Sequence, residues 1–356
     1  MKSGSIRLFG GELRYPIIQA PMAGVSTPAL AAAVSNAGGL GSIGVGAETP
    51  EGARRMILAT RELTPNAFNV NLFCHRPATR DRELEASWIE RLRPEFARFG
   101  ASPPSELEEI YKSFVVDDAM LDTLVALKPP VVSFHFGLPT ARQLAALRGI
   151  GSFLIATATS VHEAELLARA GIDAIVAQGY EAGGHRGIFD PKAVDDRLGT
   201  IALARLLVRK FEIPVIAAGG IMDGAGIDAA LRLGAVAAQL GTAFIACPES
   251  SADAGFRGAL ASDAALHTVM TSAISGRPAR SLANRFTALG QSVAAREIPA
   301  YPVAYSAGKA LHSAAKEKSE YGYGAQWAGQ GAPLARSLPA ARLMSVLIEE
   351  MAAAAS

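Results

Sequence analysis

The sequence predicts an α/β protein: a (β/α)8 TIM barrel carrying a small, mostly helical second domain. Three observations predict it. Eight short apolar runs recur over the first 245 residues, with the length and composition of buried parallel strands. Helical patterns with their own start and stop signals separate most of them. The ends of the runs also share one chemical character, small residues and side-chain amides, where such barrels place their chemistry. A doubly wound open sheet stays open as the alternative, because a strand count does not prove closure.

The apolar runs are 17–21, 39–43, 68–73, 131–136, 153–157, 173–177, 214–218 and 235–239. Between them, 27–37, 140–147, 161–170 and 200–211 have helical length and apolar spacing. Ser26 and Thr27 can cap the first of these helices, with Pro28 at its first position and Gly38 at its end. Ser160 with Glu163 three residues later reads as a capping box, and Gly171 ends that helix. Two regions break the alternation. Residues 74–130 are far longer than a usual βα connection. They hold a charge run at 76–98, read as a solvated helix face, then Pro103 and Pro104, then a helical pattern over 106–114. After Pro248, short helical patterns are separated by turns at 276–278, Pro302 and 322–324. The expected organisation is a barrel over 1–248 with the long insertion at 74–130, a small domain over 249–326 covering one mouth, and a C-terminal segment, 327–356. The helix pattern at 332–354 packs that last segment back on the barrel.

Composition narrows the function classes. Half of the 356 residues are hydrophobic and 6% are aromatic, which suits a packed core and not a disordered chain. A net charge of +1 gives no electrostatic case for nucleic acid or an anionic membrane surface. Cys74 and Cys247 are too few for a disulfide framework or a metal cluster and read as small hydrophobes in a reducing compartment. Residues 1–7 lack an apolar signal core, and the longest apolar run, 233–247, is too short to span a bilayer. The reading is a cytoplasmic protein.

The stretch QGYEAGGHRG at 178–187 follows the sixth strand. Adjacent glycines let the main chain pass close to a flat ligand. His185 then offers a group that exchanges a proton near neutral pH. The other strand ends carry Pro21 to Gly24, Asn71, His135, Gly220 and residues 239–242. Amide side chains both donate and accept, and so match the edge of an uncharged heteroaromatic ring such as isoalloxazine. Glycines after the seventh and eighth strands lie where barrels commonly bind phosphate. Tyr301, Tyr305 and Lys309 fall at i, i+4 and i+8, one stripe of a helix that Pro302 could begin. His135 reads equally as a hydrogen-bonded core residue or as a ligand-facing one. His75, His162, His267 and His312 have no motif around them and read as solvated.

QAPMAGVSTP (19–28), AVSNAGGLGSIG (33–44), VVSFHFGLP (131–139) and QGYEAGGHRG (178–187) resemble the nitronate monooxygenase family, formerly called 2-nitropropane dioxygenase. Tyr301, Tyr305, Lys309 and WAGQG (327–331) resemble its class I members. The resemblance covers nearly the whole chain and implies an FMN-dependent barrel enzyme oxidising alkyl nitronates, such as propionate 3-nitronate, with O2. It assigns FMN contacts to Pro21, Met22, Ala23, Gly24, Asn71, Gln178, Gly183, Gly220, Gln239, Leu240, Gly241 and Thr242. It implies His185 as the catalytic base, with Tyr111, His135, Tyr301, Tyr305 and Lys309 around the substrate. Some members place a further tyrosine after the eighth strand's proline, where this chain offers only Phe256. The expected partners are a small-molecule nitronate and O2, with a homodimer allowed, and neither nucleic acid nor membrane. The alternatives are an NAD(P)H-dependent FMN reductase of enoyl thioesters or quinones, and a flavin-binding protein without turnover.

Overall fold

Eight parallel strands carry the molecule: β1 Ile17–Gln19, β2 Gly41–Gly44, β3 Phe68–Phe73, β4 Val131–His135, β5 Phe153–Ala158, β6 Ala174–Gln178, β7 Val215–Ala218 and β8 Ala237–Leu240. The computed structural model describes residues 6–8 and 11–355, so most of the N-terminal stretch read for a signal core lies outside the described residues. The strands run in the order β1-β8-β7-β6-β5-β4-β3-β2. The Ile18–Leu40 bridge joins the two ends. Gln19 N–H donates to the Leu40 carbonyl at 2.9 Å and Leu40 N–H to the Ile17 carbonyl at 3.0 Å. The sheet is therefore a nearly closed barrel, and the open-sheet alternative is dropped. The second and eighth strands start two residues later than their apolar runs do. No helix among the described residues is long and apolar enough to cross a membrane.

The capping signals act with one change of partner. The helix Pro28–Asn36 is capped by Thr27, whose hydroxyl accepts from Leu30 N–H, with Pro28 in its first turn. Ser26 instead secures the loop before it, accepting from Met22 N–H and Gln19 Nε2, each at 2.9 Å. Ser160 caps the helix Val161–Arg169 by accepting from Glu163 N–H. The buried Glu163 carboxylate does not return to Ser160, so the box is incomplete. It accepts from Thr159 N–H, Thr159 Oγ1 and Phe189 N–H at 2.6, 2.8 and 2.8 Å, tying the loop after β6 to the end of β5.

The insertion differs from its reading. The helix Arg82–Ala97 is only half solvated, because Trp88, Leu92 and Phe96 are buried in a cluster with Tyr111, Tyr301 and Tyr305. Residues 106–114 form no helix, and only a short 3-10 turn follows at Phe114–Val116. The Arg80 guanidinium, paired with Glu85, takes the Leu107 carbonyl at 2.7 Å, the acceptor that a helix would need for Tyr111 N–H. Leu107 and Tyr111 are buried as separate anchors of an extended segment.

Beyond the barrel, short helices are joined by two strands that the helical patterns did not suggest. Thr268–Thr271 pairs antiparallel with Ala279–Leu282, and the latter pairs with Gly184–His185. The helix Val303–Lys316 begins after Pro302, so Tyr301 stands just ahead of the stripe formed by Tyr305 and Lys309. The expected C-terminal helix is divided into a 3-10 turn, Ala332–Leu334, and the helix Ala340–Ala354, because Pro339 resets the start. That helix packs on Gly224–Arg232 and Pro28–Asn36.

Barrel strand and covering helix touch directly at Gly41. A Cβ there would lie 1.9 Å from the Ala31 carbonyl oxygen, with no flexible side chain to yield. Gly41→Ala should therefore destabilise the protein by roughly 1–3 kcal/mol or more. A denaturant melt that superimposes on the parent's would show that β2 and its helix adjust freely.

Candidate active site

The strand ends open into a single cleft with about 1350 Å³ of empty space, counting the part open to solvent. Residues 20–24 cross its floor. Ala20 N–H donates to the Leu240 carbonyl, and Met22 N–H to Ser26, so Pro21, Met22 and Ala23 are presented as backbone and small surface. Asn71 gives its amide N–H to Ser133 Oγ at 2.9 Å, leaving Oδ1 without a protein partner. Gln239 lines the cleft and its amide has no protein partner among the described residues. Gln178 differs: its Nε2 donates to the His185 carbonyl at 3.0 Å and its Oε1 accepts from Gly187 N–H at 2.7 Å. Both ends of that amide are spent on the fold of the 178–187 loop.

On the other side, Gly219 and Gly220 have φ of +124° and +71°, which turn the chain after β7 sharply enough to face the cleft with backbone. A Cβ on Gly183 would stand 2.4 Å from Gly329 N, so the 327–331 loop lies directly on the loop after β6. Gly329 N–H in turn donates to Thr242 Oγ1 at 3.0 Å. The cleft thus has unsatisfied amides at one edge and glycine backbone at the other, and no carboxylate, ammonium or guanidinium among its lining residues. That donor set fits a flat uncharged ring with a tail held by backbone.

His185 sits on the two-residue strand paired with Ala279–Arg280. Its carbonyl accepts from both Gln178 Nε2 and His135 Nε2, the latter at 3.1 Å. Its own Nε2 lies 2.9 Å from Ser275 Oγ, and Nδ1 has no hydrogen-bond partner among the described residues. Phe136, Tyr301, Tyr305 and Trp327 surround the ring at centroid distances of 5.0–6.2 Å. Burial, then the charges of His135, Arg277 and His75, push its pKa well below 6.5. The imidazole is therefore neutral at pH 7, with a lone pair available.

His135, which the sequence left between two roles, has both. It lines the cleft, and it is hydrogen-bonded into the fold. A carbonyl only accepts, so its Nε2 carries the proton and its Nδ1 accepts from Thr157 Oγ1 at 3.2 Å. Burial brings its pKa down to about 4. His75 is a correction: it is buried, not solvated. Cys74 N–H donates to the His135 carbonyl, so the β3–β4 ladder runs on past Phe73 and carries His75 into the aromatic cluster, 5.0 Å from the Tyr301 ring. Burial lowers its pKa to about 4. His312 is half-buried beside Asp253, 3.6 Å away, while His162 and His267 are exposed as read.

Tyr111, Tyr301 and Tyr305 gather over the cleft, with centroids 5.8 and 6.3 Å from Tyr111. Burial raises all three pKa values, that of Tyr305 to about 12, so they stay phenols. Trp327 Nε1–H donates to Tyr305 Oη at 3.2 Å. Lys309 does not line the cleft. Its ammonium rests over the rings of Tyr111 and Tyr305, 4.8 and 5.5 Å from the ring centroids. Gly24 and Leu240 also stay out of the lining, and the remaining residues singled out from the sequence are in it. Phe256 is not in the lining; it packs with Leu260 behind Ile245, which is. Sequence reasoning missed Thr157, Ser133 and Phe136 in the lining and Ser275 and Arg277 behind it. Arg277 is buried, lies 4.3 Å over the Phe136 ring, and has no carboxylate within ion-pair distance among the described residues.

Comparison with known proteins places this geometry. The family model described as "Nitronate monooxygenase" matches residues 9–350. A nitronate monooxygenase of Paraburkholderia phytofirmans is 62% identical over 336 residues, covering 94% of this chain and 92% of the relative. One of Pseudomonas aeruginosa is 53% identical over 345 residues, covering 97% and 98%. Among solved structures, a nitroalkane oxidase from Streptomyces ansochromogenes superimposes with a TM-score of 0.87 at 41% identity, over 96% of each chain.

Three histidines, the buried His75 and the half-buried His135 and His185 at the cleft, make stability depend on pH. Each has a folded-state pKa below its unfolded value, so between the two values the unfolded chain binds more protons and stability falls as pH falls. For His75 and His135 that window runs from 6.5 down to about 4. The unfolding free energy should drop with a slope of up to about 1.4 kcal/mol per pH unit for each histidine. Urea melts between pH 7 and pH 4 measure it, and His75→Gln should flatten the slope. An unchanged slope in that variant would mean that His75 titrates alike in the folded and unfolded chain, so that the fold does not lower its pKa.

Proposed function

Because the chain belongs to the nitronate monooxygenase family, we propose that its cleft seats FMN on the strand ends and turns His185 toward the α carbon of the substrate. The enzyme carries out FMN-dependent oxidation of nitronates by O2. When bound, FMN supplies the electron transfer between nitronate and O2. The protein's own task is to hold, orient and shield.

Pro21, Met22, Ala23 and Gly24 would lie beneath the ring, with the Asn71 Oδ1 and the Gln239 amide at its edge. Gly183, Gly220, Gly241 and Thr242 would hold the phosphate tail, Leu240 contributing through its backbone position. Gln178 serves indirectly, by fastening the His185 carbonyl. Tyr111, Tyr301, Tyr305 and His135 would enclose the substrate. The barrel over 1–248 then supplies the cofactor side. The region 249–326 and the segment 327–356 supply the cover, a division supported by Tyr301, Tyr305 and Trp327 facing the strand ends. The substrate class reaches as far as small alkyl nitronates, of which propionate 3-nitronate is the member proposed. Its carbon would end as a carbonyl and its nitrogen as nitrite.

One observation carries the role of His185: it is a neutral imidazole with one unengaged nitrogen in a cleft without carboxylates. A nitronate is already deprotonated, whereas a neutral nitroalkane must lose its α proton to a base. His185→Asn should therefore lose about 10²–10⁴-fold in rate on nitroalkanes while keeping most activity on nitronates. Steady-state rates on both substrates decide it, since both meet the same cofactor, and equal losses would assign His185 to positioning. Anaerobic addition of nitronate should bleach the bound flavin without a nicotinamide, and bleaching by NAD(P)H alone would instead favour a reductase. Lys309, over the tyrosine rings and outside the lining, acts by charge on an approaching anion. Lys309→Met should raise the KM for nitronate more than it lowers kcat, because ground and transition states lose the same attraction.

A further inference from the structure

Ser275 is a fully buried residue ninety positions from His185 in sequence, in the turn between the two added strands. Its hydroxyl has two neighbours: His185 Nε2 at 2.9 Å and the carbonyl oxygen of Arg277 at 3.2 Å. A hydroxyl has one proton to give, and a carbonyl can only accept. If Ser275 gave its proton to His185, two oxygens would face each other with no hydrogen between them. The Arg277 carbonyl would lose the partner that the hydroxyl supplies, an unfavourable loss for a group of a buried residue. The proton therefore belongs on the Arg277 side, and Oγ is left to accept from His185 Nε2–H.

We propose that Ser275 is a positioning residue that fixes the tautomer of His185, with the proton on Nε2 and the lone pair on Nδ1, facing the cleft. The turn is built to hold the hydroxyl still. Gly276 has φ of +89°, and a Cβ there would stand 2.4 Å from the Pro299 carbonyl and 2.7 Å from Tyr301 N. No other residue fits between Ser275 and the segment that carries Tyr301. The His185 main chain is fixed from the other side by Gln178 and His135. The imidazole is thus gripped at its backbone and at one nitrogen, and only Nδ1 is free to react.

This inference rests on His185 as the base. In the step it serves, the α C–H bond of a nitroalkane breaks and an N–H bond forms at Nδ1. The electron pair stays on the substrate as its nitronate. The imidazolium that results keeps its Nε2–H on Ser275 and later returns the Nδ1 proton to water. The wrong tautomer would present N–H to the substrate and could take no proton.

The test uses holoenzyme with ¹⁵N-labelled histidine, its His185 signals assigned by their loss in His185→Asn. Near neutral pH, wild-type His185 should show a protonated Nε2 and a bare Nδ1. Ser275→Ala should lose that single-tautomer signature and Ser275→Thr should restore it. In turnover, Ser275→Ala should fall by roughly 10–100-fold on nitroalkanes, comparable to the loss when an orienting partner of a metal-binding histidine is removed. It should keep most activity on nitronates, and Ser275→Thr should recover the loss. A proton on Nδ1 in the wild type, or an unchanged signature in Ser275→Ala, would overturn the proposal. So would an equal loss on both substrates that threonine does not rescue. Because the tautomer is read without turnover, a failure of His185 as base would show in the His185→Asn rates alone, with the signature intact.

Discussion

The Gln178 side chain is the contact on which the site depends. It leaves the end of β6, and its amide binds the carbonyl of His185 and the N–H of Gly187, closing the intervening loop onto its own strand. With that loop closed, Gly184–His185 pairs with Ala279–Leu282 as a neighbouring strand. That pairing brings in Ser275 and Arg277. It also sets the 327–331 loop against Gly183, where only the absence of a Cβ permits the approach. One amide at a strand end therefore organises a cofactor side built from the barrel and a cover built from chain a hundred residues later.

Of the three buried arginines around this loop, Arg280 gives two N–H groups to the Tyr180 carbonyl, while Arg186 and Arg277 are satisfied differently from each other. Arg186 pairs bidentately with Asp195 and gives its remaining N–H groups to the carbonyls of Gln178 and Gly179. Its charge is neutralised where it stands, and its work is to lock the loop. Arg277 has the Phe136 face and the Ile188 carbonyl, and its Nε is buried without a partner. Burial lowers its pKa to about 10, which still leaves it charged. An uncompensated positive charge beside three histidines favours their neutral forms, and each of their pKa values is lowered by it. The charge that adds to burial in keeping His185 uncharged also attracts an anion to the cleft.

What the sequence revealed was local, and what it concealed was long-range. The strands were legible because buried parallel strands are continuous apolar runs, and their ends because glycine and amides mark them. His185 was legible because it follows its strand within the same ten residues. Ser275, Arg277 and Thr157 were not, since each acts across a pairing that no local pattern encodes. Thr268–Thr271 offered the one usable signal, a β-branched run before a Gly-containing turn. The spacing of Leu107 and Tyr111 misled for a related reason. Apolar residues four apart fit a helix face, but they equally fit two anchors of an extended chain, and Arg80 decides between them by taking a backbone carbonyl. His75 was misplaced because nothing in its neighbourhood shows that the β3–β4 ladder runs on to Cys74.

The placement of charge also bears on which substrates can enter. The cleft lining holds phenols, amides, imidazoles and backbone, while Arg277 and Lys309 are outside the lining, each over an aromatic ring that is in it. A cation engaged with a ring and outside the lining acts on the contents of the cleft over distance rather than as a direct ion pair. Such a field favours a nitronate, yet it leaves no bare ammonium that a neutral nitroalkane would have to desolvate on entry. An ion pair inside the cleft would bind the anion more tightly in the ground state as well, which lowers KM without accelerating the chemical step. Positive charge held outside the lining therefore suits a site that draws in nitronates and still leaves room for His185 to make one from a nitroalkane.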